Sequence, residues 1–277
     1  MTSPRLRPGP KIVFLMYHEL EVPGRPTRQV GPASEPFLLP VASFRAQMQA
    51  LHDRGIKGLS VSEAIRYPAE PSVCITFDDG YASDWSAAAP VLEEFGFHAT
   101  SFIPAGFVGA PGHLTASEVR QLRSAGVEVG CHSMTHAALT EVSDRQLAEE
   151  LGAARVLLED LVGEPVEHFA WPYGRYDHRT LVAAGRAAFR TLSTCRPYAN
   201  SLATHPFELG RVPISRGQGL PEFVGLTERR HLLRLRVADE LRSELRVRLG
   251  AVTFDVLRGA VRTPAHAWPF APAPIRP

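Results

Sequence analysis

Two short runs carry the side chains that could do chemistry. Thr76-Phe77-Asp78-Asp79-Gly80 sets adjacent carboxylates before a glycine, and His132-Ser133-Met134-Thr135-His136 sets two imidazoles four residues apart. Carboxylate oxygen and neutral imidazole nitrogen both suit a borderline divalent cation. Asp79, His132 and His136 would make a set of two histidines and one carboxylate, which leaves coordination positions open, as catalytic rather than structural sites do. Asp78 then stands beside the set without a metal role, free to act as general base on a water that the cation has made acidic. That is the equipment for hydrolysing an amide. Each run alone has a plainer reading: a turn for the acids, a solvated helix face for the histidines. The aspartates are not needed as helix caps, because Ser83 and Asp84 stand closer to the next helix. Successive side chains on a strand point in opposite directions, so a turn at Gly80 is required to bring both carboxylates to one pocket.

Such a set needs a scaffold that delivers distant segments to one place. Strand-like apolar runs at 11–17, 57–60, 72–77, 97–103, 127–131, 168–171 and 189–193 alternate with helical patterns. The helices are expected over 43–53 (capped by Ser43), 62–66, 84–95 (stopped at Gly96), from Thr115 or Ser117 to Gly126, over 143–161 (ended by Gly163) and over 177–188. This βαβα rhythm predicts a parallel sheet with helices outside it, an α/β fold. Both motifs fall where a strand gives way to a loop, the rim where α/β barrels collect catalytic residues. Residues 21–40 hold Pro23, Pro26, Pro32, Pro36 and Pro40 and read as a long loop. Residues 1–10 read as a loose arm.

At this point the motifs resemble those of the polysaccharide deacetylase family, the NodB-homology or carbohydrate esterase 4 group, over about residues 11–215. The resemblance implies a distorted (β/α) barrel that removes acetyl groups from N-acetylated sugars. It implies that Asp78 is the base and that Asp79, His132 and His136 hold a divalent metal, zinc first, cobalt or nickel as alternatives. Phe169-Ala170-Trp171-Pro172-Tyr173-Gly174 is similar to the family's third motif, which gives Tyr173 a main-chain N–H in the oxyanion hole. Two departures matter. Ala170 stands where many members carry an arginine that orients the catalytic aspartate; Arg175 or Arg211 could substitute. The usual C-terminal Leu-x-His motif is missing, and neither His205 nor His231 has the setting for it. Met16-Tyr17-His18-Glu19-Leu20 instead resembles the subgroup acting on poly-N-acetylglucosamine and exopolysaccharides, where an N-terminal histidine is the general acid; that assigns His18. The expected substrate is an N-acetylglucosamine-containing polysaccharide or glycan precursor. The alternatives are a C–N hydrolase of a small amide and an inactive carbohydrate-binding protein. Trp171, Tyr173 and Trp85 either stack on sugar or belong to the core. His98, His113, His168 and His178 stand in no constellation.

The catalytic domain is expected to span 11–227. Over 228–263 an amphipathic helical extension is expected: Leu233, Val237, Leu241, Leu245 and Leu249 recur every four residues between arginines. Its apolar stripe would cover one side of the barrel, or touch a membrane surface or a partner. The Pro-rich stretch 264–277 reads as a disordered tail. Thirty basic against twenty-nine acidic residues leave a net charge of +1, so no global field favours nucleic acid. Cys74, Cys131 and Cys195 are too few and too scattered for a disulfide framework. No apolar run is long enough for a transmembrane segment, and no signal peptide is visible. A cytoplasmic chain is expected.

Overall fold

In the computed structural model, which describes residues 11–27, 35–67, 71–227 and 237, strands and helices alternate as the apolar runs predict. The strands are β1 (Val13–Tyr17), β2 (Leu20–Glu21), β3 (Leu39–Pro40), β4 (Lys57–Leu59), β5 (Ser72–Asp78), β6 (Ala99–Ile103), β7 (Val127–Cys131), β8 (His168–Ala170), β9 (Thr191–Ser193) and β10 (Val212–Pro213). Eight of them form one parallel sheet, seven in the order β10-β1-β5-β6-β7-β8-β9 and β4 joined to it at β5. There β4 pairs with the first half of β5, Lys57 opposite Ser72, and β6 with the second, Thr76 opposite Thr100. The sheet curls until its edges nearly meet: Leu209 bridges to Ser193 of β9, and the same segment goes on to pair Val212 with Leu15 of β1. The result is a curled half-barrel with helices outside.

Alternation along the strands builds two cores. Phe14, Cys74, Phe102, Ala170 and Leu209 turn inward and fill the barrel. Leu15, Ile75, Phe77 and Val129 turn outward and bury against the helices. The helices are α1 (Val41–His52), α2 (Val61–Arg66), α3 (Ala89–Phe95), α4 (Ala116–Ser124), α5 (Asp144–Ala148), α6 (Ala154–Val162), α7 (His178–Arg186) and α8 (Leu220–Leu226). Reciprocal capping boxes start four of them: Ser60 with Glu63, Thr115 with Glu118, Ser143 with Gln146 and Asp177 with Thr180.

Three expectations change. Ser43 does not cap α1, which starts at Val41 after Pro40 without a side-chain cap. Neither long helix is uniform: π-helical turns at Asp84–Ala88 and Glu149–Ala153 run into α3 and α6. In the first, the Ala89 N–H reaches back five residues to the Asp84 carbonyl, and Pro90 follows with no N–H to offer. Ser83 does not cap there; its Oγ accepts from the Leu20 N–H at 3.0 Å. Finally, the proline-rich loop is not wholly irregular. β2 and β3 pair in parallel across it, and Glu35–Phe37 forms a 3-10 turn. The expected arm at 1–10, the extension at 228–263 (apart from residue 237) and the tail at 264–277 lie outside the described residues. No helix among the described residues is long and apolar enough to cross a membrane.

Candidate active site

β5 delivers the two aspartates to the carboxyl end of the barrel. Asp78 is its last residue and points inward. The turn begins at Asp79 itself, with φ 74°, and continues through Gly80 at φ 63°. Glycine is required at the second position, because a Cβ there would lie 2.9 Å from Ile103 Cγ2. The reversal therefore starts one residue earlier than the glycine predicts, and it swings Asp79 round to the side of Asp78.

The histidines reach the same place by a loop and not by a helix face. β7 ends at Cys131, the His132 N–H bonds to the Ile103 carbonyl at 3.0 Å, and Ser133 and His136 both take positive φ, 70° and 58°. Each such residue costs about 1–2 kcal/mol when it is not glycine, so the loop must be held. Ser133 Oγ accepts from the His136 N–H at 3.0 Å, and the Ala105 and Gly106 N–H groups bond to the Ser133 and Met134 carbonyls, both at 2.9 Å.

One ligand atom from each of Asp79, His132 and His136 lies within 4.8 Å of the others. Asp79 Oδ1 stands 3.1 Å from His136 Nε2 and 3.5 Å from His132 Nε2. These separations bracket the roughly 3.3 Å edge of a tetrahedron drawn with metal–ligand bonds of about 2.05 Å. The chemistry of the donors fits as well. His132 Nδ1 sits 2.7 Å from the Ala170 carbonyl, which can only accept, so Nδ1 carries the proton and Nε2 presents its lone pair. Burial pushes the His132 pKa down to about 4, against the opposing pull of Asp78, and the ring is neutral near pH 7. Burial would raise the Asp79 pKa, but the hydrogen bond and charge of His136 outweigh it and hold the carboxyl well below the usual range. The same contact raises His136, against its burial. The set fits a divalent cation.

Asp78 lies beside that set, its Oδ2 3.9 Å from His132 Nε2, with both oxygens tied to an arginine. Arg211, fully buried, donates Nη1 to Oδ1 at 2.6 Å and Nη2 to Oδ2 at 2.8 Å. Burial would raise the Asp78 pKa; the Arg211 charge, then His132, outweigh it, so Asp78 stays a carboxylate. Arg211 also bonds to Thr76 Oγ1 and the Thr194 carbonyl, and lies over the Phe102 ring at 5.2 Å. Of the two arginines that could replace the one absent at position 170, Arg211 meets the aspartate. Arg175 pairs with Glu141 at 2.8 Å instead.

His18 follows β1 at the same rim, close enough for its charge to act on Asp78 and Asp79. Its ring packs on Phe37, centroids 5.0 Å apart, and its Nδ1 is buried with no hydrogen-bond partner among the described residues. Tyr173 takes φ 58° in the Pro172–Gly174 turn, and its ring meets His136 edge-on at 4.6 Å. It is 37 % exposed, whereas Trp171 is fully buried, stacked on Tyr176, and Trp85 is half-buried against the core. Trp171 is therefore a core residue.

Two residues escaped the motif reading. His168 is buried in a polar network, its Nδ1 2.7 Å from Thr191 Oγ1 and its Nε2 2.8 Å from Ser62 Oγ and 3.3 Å from Glu128 Oε1. Glu150, in the second π-helical turn, bonds to the loop that carries the histidines. The signal for both was an ionisable residue on the apolar face of its element, which calls for a buried partner.

Residues 66–192 match the sequence model of the family described as polysaccharide deacetylase. Among curated relatives, the chain is 29% identical over 213 residues to YxkH of Bacillus subtilis (strain 168), whose name proposes a polysaccharide deacetylase; the match covers 75% of this chain and 72% of that one. Among solved structures, it is similar to the Streptococcus pyogenes deacetylase PplD in complex with acetate, with TM-score 0.71, 25% identity, and 79% of this chain and 99% of that one covered. It also shares its fold with BC0361, a polysaccharide deacetylase from Bacillus cereus, with TM-score 0.71, 23% identity, and 79% and 70% covered.

Proposed function

We propose, for a chain whose residues 66–192 match the polysaccharide deacetylase family, a metal-dependent hydrolase that removes N-acetyl groups from an N-acetylglucosamine-containing glycan. One observation carries the reading: Asp79, His132 and His136 converge within 4.8 Å beside an aspartate whose two oxygens Arg211 grips. The likeness to an acetate-bound deacetylase supports the acyl group.

Asp79, His132 and His136 would hold the divalent cation. Bound there, the cation supplies Lewis acidity, making a water more acidic and drawing charge from an amide carbonyl. Asp78 takes a proton from the attacking water at a carboxylate oxygen, and its fixed orientation comes from Arg211. The main-chain N–H of Tyr173 donates to the oxygen on which charge develops; its turn packs beside His136. His18 gives a proton to the departing sugar amine, which is a poor leaving group as an anion. Water thus adds across the C–N bond to give acetate and a free amine. The exposed side of the Tyr173 ring offers a pyranose a surface to stack on.

The test is acetate release from short N-acetylglucosamine oligomers, measured with metal content before and after chelation. Turnover that follows the bound metal supports the proposal. A fully loaded protein that releases acetate from small amides but from no N-acetylated sugar would overturn the substrate assignment.

A further inference from the structure

We propose that Glu150 is a positioning residue for the metal centre: its carboxylate clamps the 132–136 loop in the left-handed shape that aims both imidazoles at Asp79, and so sets the affinity of the site for a divalent cation. The proposal rests on the metal reading above.

Glu150 is buried, yet its carboxylate receives three hydrogen bonds from the loop. The Met134 and Thr135 N–H groups both donate to Oε2 at 2.9 Å, and the Thr135 hydroxyl donates to Oε1 at 2.5 Å. Two consecutive amides converge on one carboxylate oxygen, and hydrogen bonds to a carboxylate are about twice as strong as neutral ones. Met134 and Thr135 lie between the two histidines, so the clamp acts on the peptides that set their separation. The loop's carbonyls are gripped from the other side by the Ala105 and Gly106 N–H groups. Gly106 permits that approach, since a Cβ there would stand 2.7 Å from the Met134 oxygen. Glu150 itself sits in the π-helical turn Glu149–Ala153, a kind of turn that recurs at functional sites. Its hydrogen bonds go to Met134 and Thr135 and to no ligand atom of the set, so it acts through the loop, and its charge also reaches His136. Partners of this kind, behind the ligands, typically change metal affinity 10- to 100-fold.

The experiment titrates Co(II) and Zn(II) into metal-free wild type, Glu150→Gln and Thr135→Val, with competition by a chelator and the visible Co(II) spectrum as readouts. Gln keeps one acceptor oxygen and turns an NH2 toward a loop donor; we expect affinity to fall at least about tenfold and the Co(II) bands to shift. Thr135→Val removes only the hydroxyl bond at an exposed side chain, and we expect a loss of about threefold. A merely structural glutamate would lower the metal-free melting temperature and leave the Co(II) spectrum as in wild type, which overturns the proposal. If Glu150→Gln does not fold, Thr135→Val decides, and wild-type affinity there overturns the proposal. His136→Ala separates the two readings. If wild type binds no cation, or His136→Ala binds as well as wild type, the metal reading fails. If His136→Ala loses the cation while Glu150→Gln and Thr135→Val keep it, only the role of Glu150 fails.

Discussion

Arg211 meets Asp78 as a two-pronged pair, guanidinium against carboxylate, buried beneath the rim of the barrel. The pair ties the residue just before β10 to the last residue of β5 across β1, inside the run of strands β10-β1-β5. It also divides labour between neighbouring aspartates. Asp78 spends one lone pair of each oxygen on Arg211, while Asp79, turned by its positive φ, faces the histidines.

Breaking this pair from one side leaves an unpaired buried charge, which costs about 3–5 kcal/mol. Arg211→Met is expected to lose stability of that order in urea denaturation. Asp78→Asn combined with Arg211→Met should be less destabilised than Arg211→Met alone, because no lone charge remains. Arg211→Lys keeps the charge but not the fork, and its turnover should fall by at least roughly tenfold while the protein stays folded. Wild-type turnover in Arg211→Lys would mean that orientation of Asp78 does not matter.

Asp78→Asn and Asp79→Asn should part company. The first removes the proposed base and leaves the cation set whole: metal content near one per chain, turnover down by about 10²–10⁴-fold. The second removes a ligand, so metal and turnover fall together. Metal analysis on both variants checks this, and loss of metal from Asp78→Asn would place Asp78 among the ligands.

That adjacent acids before a glycine, with a strand ahead of them, could carry chemistry was legible in the sequence because the pattern is local; the separate roles of Asp78 and Asp79 came from the family resemblance. The strands were legible for the same reason, as β5 and β7 are short apolar runs ended by turn residues. What was not legible depends on residues far apart in the chain. Arg211 was one of two candidates until the curl of the sheet set it against Asp78. The histidine loop followed no helical spacing, because Ser133 and His136 take conformations that their residue types disfavour and that only tertiary bonds sustain. Glu150 read as an ordinary helix residue, and the π-helical turn that carries it has no sequence signature of its own.

At the opposite end of the barrel, Glu128 should show in the acid limb of stability. Burial would raise its pKa, but the hydrogen bond from His168, with help from Ser62 and Thr100, lowers it to about 2. The carboxylate therefore contributes stability that is complete above the unfolded-state value near 4.5 and is lost as pH falls toward about 2. The contribution is at most about 3 kcal/mol. Glu128→Gln should be less stable than wild type at pH 7, and the gap in denaturation free energy should narrow between pH 4.5 and pH 2. A gap that does not change with pH would mean that charge at Glu128 does not stabilise the fold.

His18 stands just after β1, its ring braced by Phe37 and its Nδ1 buried without a partner among the described residues, close to both aspartates. If it protonates the departing nitrogen, its importance must depend on how badly that nitrogen needs the proton. His18→Ala is expected to lose at least about 10²-fold in kcat on an N-acetylglucosamine oligomer, with little change in KM. On an aryl acetate ester, whose leaving group departs as a stable anion, the same variant should lose much less. The metal content should stay as in wild type, because His18 is not among the ligands. Equal losses on amide and ester would assign His18 to substrate or water positioning, and an unimpaired amide rate would remove it from the mechanism.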